Sequence, residues 1–401
     1  MFTIKKHFYF TISFFISSFA IAQNHFYINQ SGQENTYSSF QNAVDATSAG
    51  DFIHLSNTDI VTGNVSISSK NLTILPETIG EEIEYGGTMS ISNSIVTLIG
   101  FGSGDIDINS GNSGDTINII SSTIEGFSTS GSHVINIYDS KIEGPVTMSS
   151  GSIIASQITG NLTLNSNSST SETIKVYANV LGTVYLNNSY KIYDIRNNFI
   201  NSGSWGIKIT AMLNSPYDFI IANNLIKSYS TNSSSSSYYS YAPIYFDNSF
   251  NNLNSVQIMN NYFYRSISYQ YPYYGVYLDV NQDNLLISNN IMTHPTICNR
   301  TNYGFNNVTS SSFTYNSTDG TVGSPTLNSD NGLSGASFLD IDNSINDIGI
   351  EGGPYSIRNF YFDDDSLGKA RIIDLDLPSE MFYGNGTTPI IIKSKGVHIN
   401  E

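Results

Sequence analysis

The chain has 401 residues, 16 Lys and Arg against 33 Asp and Glu, a net charge of −17 and one cysteine. Such an acidic surface argues against nucleic acid, which rewards basic patches, and it disfavours a polyanionic glycan unless Ca²⁺ bridges. Cys298 has no partner for an internal disulfide, so stability must come from packing and hydrogen bonds.

Residues 1–22 read as an export signal: Lys5 and Lys6, an apolar run over Phe8–Ala22, and the small-residue cleavage site Ala20-Ile21-Ala22. The alternative is a membrane anchor, but the run is shorter than the ~20 residues a span needs. The expected location is therefore secreted, in the medium or at the cell surface, with no membrane span after signal removal. Residues 23–87 read as an N-terminal cap and first coils. Phe40-Gln41-Asn42-Ala43-Val44 is an amphipathic helix candidate, followed by the strand candidate A-G-D-F-I-H-L-S at Ala49–Ser56.

Residues 88–326 carry repeats built from short strands. I-N-I-I-S-S-T-I-E-G at Ile117 and I-N-I-Y-D-S-K-I-E-G at Ile135 are near copies 18 residues apart. Further on, a phrase with a pair of asparagines returns. It reads I-R-N-N-F-I at Ile195, I-A-N-N-L-I at Ile221, I-M-N-N-Y-F at Ile258 and I-S-N-N-I-M at Ile287, with a worn copy at Phe313–Thr318. The second asparagines are 26, 37 and 29 residues apart. Between them lies a second strand with period-2 alternation: G-I-K-I-T at Gly206, P-I-Y-F-D at Pro243, G-V-Y-L-D at Gly275 and G-F-N-N-V at Gly304. No segment of helical periodicity intervenes. Units of this size cannot bury their own apolar faces, so they must stack as a solenoid. Asn tolerates the left-handed corner, and its side chains can ladder from coil to coil.

This pattern resembles the right-handed parallel β-helix of the pectin-lyase-like superfamily, an all-β, single-stranded solenoid. The opening strands resemble those of secreted β-helix proteins. Residues 327–353 resemble the closing segment of bacterial members, through Asp340, Asp342, Ser344, Asn346, Asp347, Ile348 and Gly349, then Gly352, Gly353 and Pro354. Asn343 stands where those relatives have glycine. Asp340, Asp342 and Asp347 either hold a Ca²⁺ or cap the last coil through Asx turns. Ca²⁺ is the one candidate cofactor. Residues 354–401 alternate as strands of a short β cap or stub.

The function candidates come from the widest coils. Their insertions are rich in tyrosine, including Tyr241, Tyr273 and Tyr274, and hold the single tryptophan, Trp205. Exposed rings stack on sugar faces and serve as low-entropy contacts; the alternative is that they pack on each other. The strand after each insertion aligns Lys208, Tyr245, Tyr277 and Asn306 in one outward column. Thr210, Asp247, Asp279 and Val308 form the next. With coils about 4.8 Å apart, Asp247 and Asp279 become neighbouring carboxylates. These are either solvated strand ends or a pair that shares a proton, ligates Ca²⁺, or serves as acid and nucleophile at the ~5 Å spacing of a retaining glycosidase, with Lys208 or Arg265 in support. The pectin hydrolases of the resemblance carry G-H-G and R-I-K, and neither occurs here. Three readings stay open. One is a binding protein for a carbohydrate or a cell-surface partner, through Trp205, Tyr241, Tyr245, Tyr273, Tyr274, Tyr277 and Arg265. The others are a polysaccharide lyase or glycoside hydrolase using Asp247, Asp279 and Lys208, and a structural surface or matrix protein. A monomer is expected in each case.

Overall fold

The computed structural model describes residues 25–28, 36–55, 61–78, 81–102, 104–108, 114–129, 133–165, 173–187, 192–210, 218–228, 242–247, 255–265, 274–279, 284–292, 296–300, 304–309, 314–315, 322–323, 349, 352–353, 355–356, 371–376 and 393–397. The residues read as an export signal lie outside this set, as do Asp340, Asp342 and Asp347. No helix among the described residues is long and apolar enough to cross a membrane.

The chain is an all-β parallel β-helix. A 14-stranded sheet and a nine-stranded sheet form two of its faces, and four- and seven-stranded sheets supply the third strand of successive coils. Every pairing in these four sheets is parallel. Period-2 alternation sends one side chain in two to the interior. In the large sheet this makes a column that climbs from Ile53 through Ile74, Leu98, Ile119, Ile137 and Ile153 to Val176, Ile195, Ile221, Ile258 and Ile287. None of these side chains has any exposure. Each contributes ~1.5–3 kcal/mol of burial.

The N-terminal end is closed by the helix Phe40–Ala46, which Ser39 caps by accepting from Asn42 N at 3.2 Å. Phe40, Ala43 and Val44 are buried beneath it. Gln41 treats the exposed edge of the strand Val65–Ser68 as a neighbouring strand would. Its Oε1 accepts from Ser66 N at 2.7 Å and its Nε2 donates to Ser66 O at 3.1 Å.

The asparagine pair divides two tasks. The first residue takes the left-handed conformation that turns the chain from the 14-stranded to the nine-stranded sheet. Asn197, Asn223, Asn260, Asn289 and Asn306 have φ between 52° and 56°. The second points inward and ladders. Asn224 Oδ1 accepts from both N and Nδ2 of Asn198, at 3.0 and 2.9 Å. Asn224 Nδ2 in turn donates to Ile195 O and to Asn261 Oδ1, both at 2.9 Å. The same geometry runs from Asn179 through Asn198, Asn224, Asn261 and Asn290 to Asn307. In the tighter coils serine hydroxyls take over: Ser156 Oγ accepts from Ser140 N, and Ser140 Oγ from Ser122 N, each at 3.1 Å.

Two alignments from the sequence are corrected. Gly304–Phe305 does not follow Gly275 in the third strand; it pairs with Leu285–Ser288 in the 14-stranded sheet. Asn306–Asn307 is therefore another asparagine pair, 17 residues after Asn290, and it turns into Val308–Thr309. The strand that does follow is Thr296–Cys298, with Cys298 beside Val276. The worn copy at 313–318 starts no new coil, since Thr314–Tyr315 pairs antiparallel with Val322–Gly323. Arg371–Asp376 and Lys393–Val397 form a separate antiparallel pair.

Candidate functional site

The seven-stranded sheet carries the candidate residues. Its register places Tyr185, Lys208, Tyr245 and Tyr277 in one outward row across four coils. Asn187, Thr210 and Asp247 fall in the next row. Asp279 extends that row just past the strand end, where its N donates to Phe246 O at 3.3 Å. The expected columns thus hold for Lys208, Tyr245 and Tyr277, and for Thr210, Asp247 and Asp279. Asn306 and Val308 leave them, because their strands belong to the other two sheets.

The rings pack on one another. Trp205 lies over Tyr245 with centroids 5.7 Å apart and planes 22° apart. Tyr277 lies against the other side of Tyr245 at 5.8 Å and 16°. Tyr274 leans on Tyr277 at 5.9 Å and 50°. Tyr245 keeps only 8% of its surface exposed, so no sugar can lie on its face. Of the two alternatives, exposed rings or rings packed on each other, Tyr245 follows the second. Rings one coil apart are close enough to satisfy each other, and the parallel register imposes that spacing. Trp205, Tyr274 and Tyr277 stay half-exposed. Gly206 lets Trp205 come this close to the next coil: a Cβ there would sit 2.1 Å from Ile226 Cγ2 and 2.7 Å from Pro243 O.

Charged groups bind this ring ladder to the sheet. Lys208 Nζ sits 4.4 Å from the Trp205 ring centroid and 5.6 Å from that of Tyr245. It also forms an ion pair with Asp247 Oδ2 at 2.9 Å. The Tyr245 hydroxyl donates to Asp279 Oδ2 at 2.8 Å. Burial first, and then this carboxylate, push the Tyr245 phenol above its ordinary range.

No protein-family model, no curated protein and no solved structure matches the chain.

Asp247 and Asp279 each have a partner in the fold: Oδ2 of Asp247 meets Lys208, and Oδ2 of Asp279 accepts from the Tyr245 hydroxyl. Lys208 is committed as the donor to Asp247. Arg265 ends the strand Tyr262–Arg265 in the nine-stranded sheet, a different face from that of the two aspartates. Among the described residues no group of three His, Cys, Asp or Glu is placed to hold a metal ion. Tyr241, Tyr273 and the proposed Ca²⁺ carboxylates Asp340, Asp342 and Asp347 lie outside the described residues.

Two contributors were missed in the sequence. Tyr185 extends the row by one coil, and the motif V-Y-L-N at Val184 could have shown it, since it repeats the alternation of I-K-I-T. Asn299, just past the last strand Thr296–Cys298, prolongs that strand's pairing with its side chain. Its Oδ1 accepts from Leu278 N at 2.8 Å and its Nδ2 donates to Leu278 O at 2.9 Å. Beside it, Arg300 Nη2 donates to Asp279 O at 2.8 Å.

Proposed function

We propose that this is a secreted β-helix protein of pectin-lyase-like architecture that binds an extracellular glycan on the outer face of the seven-stranded sheet. The observation that carries the reading is the pre-packed ladder of Trp205, Tyr245 and Tyr277, anchored by Lys208, Asp247 and Asp279. Ordered rings lose little entropy on binding. The half-exposed ends of the ladder, at Trp205 and at Tyr277 with Tyr274, are the surfaces left for a sugar. With Lys208 matched by Asp247 and Arg300 beside Asp279, the described part of the face carries no surplus charge. The glycan that fits is therefore uncharged.

The test is a panel of neutral and anionic polysaccharides, with and without Ca²⁺, scored for co-sedimentation and for polymer length. The expected outcome is retention of a neutral polymer at unchanged length, lost in Trp205→Ala and Tyr277→Ala. Shortening that disappears in the Asp247→Ala, Asp279→Ala double variant would establish a glycan-cleaving enzyme instead. Absence of both retention and shortening would favour a structural surface protein.

A further inference from the structure

The left-handed residue of the corner changes along the solenoid in a way that turn energetics do not explain. It is Ala155 and Ala178 in two coils, with φ of 53° and 54°, and then Asn197, Asn223 and Asn260 in the next three. Alanine is a poor choice for this conformation, which costs an ordinary L-residue about 1–2 kcal/mol. Asparagine also holds this position at Asn93, Asn289 and Asn306, so the contacts outside the corner are what set these five coils apart.

Gly349, Gly352, Gly353, Tyr355 and Ser356 lie along the flank of these same coils, in an order that runs back toward the N-terminus. Asn223 Nδ2 donates to Gly349 O at 3.1 Å, and Gly349 N donates to Asn260 O at 2.8 Å. One coil earlier, Asn197 Nδ2 donates to Gly352 O. One coil earlier again, Tyr355 stacks on Tyr177 at 4.2 Å and 26°. Tyr355 there joins a small apolar cluster of Tyr138, Ile154, Ala155, Tyr177 and Ala178, separate from the interior core. Asparagine thus stands opposite glycine backbone, and alanine beside the tyrosine ring. Asn260 is fully buried, and its Nδ2 and Oδ1 have no partner among the described residues, so the row holds one hook more than the two engaged.

Two backbone bonds that each span three residues set the pitch of the described residues. Gly352 N donates to Gly349 O at 3.3 Å and Ser356 N to Gly353 O at 3.2 Å. A turn closes four residues to within ~7 Å. Three residues of turn therefore advance about one coil, where three extended residues would overshoot it at about 10 Å.

We propose that the outer edge of this corner is a peptide-docking track that reads a G-x-x-G-x-x-Y segment folded as turns, and that the chain fills it in cis with Gly349, Gly352 and Tyr355. The segment is a releasable clamp on the coils between Tyr177 and Asn260. Its track lies where the 14-stranded sheet turns into the nine-stranded one, so it is independent of the ring ladder on the seven-stranded sheet.

The test uses the full-length chain. Asn197→Gly with Asn223→Gly keeps the left-handed backbone and removes both hooks. Amide hydrogen exchange over residues 349–356 is expected to quicken at least tenfold, while the neighbouring ladder at Asn198 and Asn224 stays protected. Ser121→Gly, at the same corner outside the docked coils, is the control and should change neither. In a second arm, a labelled synthetic peptide of residues 345–358 is added to the wild type and to Gly352→Pro with Tyr355→Ala. Binding is expected to the double variant alone, because the cis segment excludes the peptide from the wild type. Unchanged exchange in the asparagine variant, or peptide binding equally to both proteins or to neither, overturns the proposal. None of these outcomes depends on whether a glycan binds.

Discussion

Tyr245 and Asp279, one coil apart, are joined hydroxyl to carboxylate at 2.8 Å, while the Tyr245 ring is held between Trp205 and Tyr277. These two roles separate by substitution. Tyr245→Phe keeps the stack and loses the donor, and should cost about 1 kcal/mol in denaturant unfolding. Tyr245→Ala removes the middle ring and should cost about 3 kcal/mol or more. Glycan retention should survive the first change and fail with the second. Equal losses from both would mean that the stack contributes nothing of its own.

Asn224 sits midway along the inner ladder, bonded to Asn198 on one side and Asn261 on the other. Asn224→Ala would strand Asn198 N and Ile195 O in a fully buried corner and leave Asn198 Nδ2 with Val176 O alone. Each stranded group costs ~1–3 kcal/mol, so a loss of roughly 4 kcal/mol is expected from chemical unfolding. Asn224→Ser should recover about half, since a serine hydroxyl fills the same place at Ser156. A loss under about 1 kcal/mol for the alanine variant would show that water replaces the ladder.

Gln41 closes an open sheet edge with two backbone bonds. Gln41→Leu keeps the size and deletes both. The expected effect is about 1–2 kcal/mol of stability and concentration-dependent association, because an uncovered edge pairs with other chains. Light scattering across a concentration series checks this, and a strictly monomeric variant would refute it.

Alkaline pH should unfold the chain. Burial pushes the Tyr85 phenol up to about 12, and burial together with Asp194 pushes Tyr177 well above its usual range. Both folded values are raised, so the folded state keeps protons that the unfolded chain releases above about pH 10. Their contribution is therefore complete below that pH and is lost as pH rises through the folded values. The denaturation midpoint should hold to about pH 9 and fall steeply by about pH 12. Tyr85→Phe should soften the fall, and a flat midpoint over that window would rule the effect out.

The architecture was legible because the solenoid writes its period into the chain. The I-x-N-N phrases mark the corner, and the alternation in I-K-I-T and I-Y-F-D fixes which side chains face out. G-F-N-N-V at Gly304 misled because its glycine copies the start of the third strand, while its asparagine pair belongs to the corner. Only hydrogen bonding to Asn290 decides between them. The ring–ring contacts were not legible as contacts, since the sequence shows which residues share a row but not how far their planes tilt. The docking of Gly349 and Tyr355 was out of reach as well: their partners lie 89 or more residues earlier in the chain, and no local spacing encodes that return.

The ladder asparagines from Asn179 to Asn307 are separated by 19, 26, 37, 29 and 17 residues, yet their amide bonds all measure 2.9–3.0 Å. Rise along the axis is thus indifferent to how much chain each turn consumes. Surplus residues fall between the strands, and the spacing of the ladder above and below stays the same. Such a body works as a rack with fixed shelves. Segments of different length and chemistry can be exchanged on one side of it, at a cost set by loop closure, which grows only with the logarithm of length.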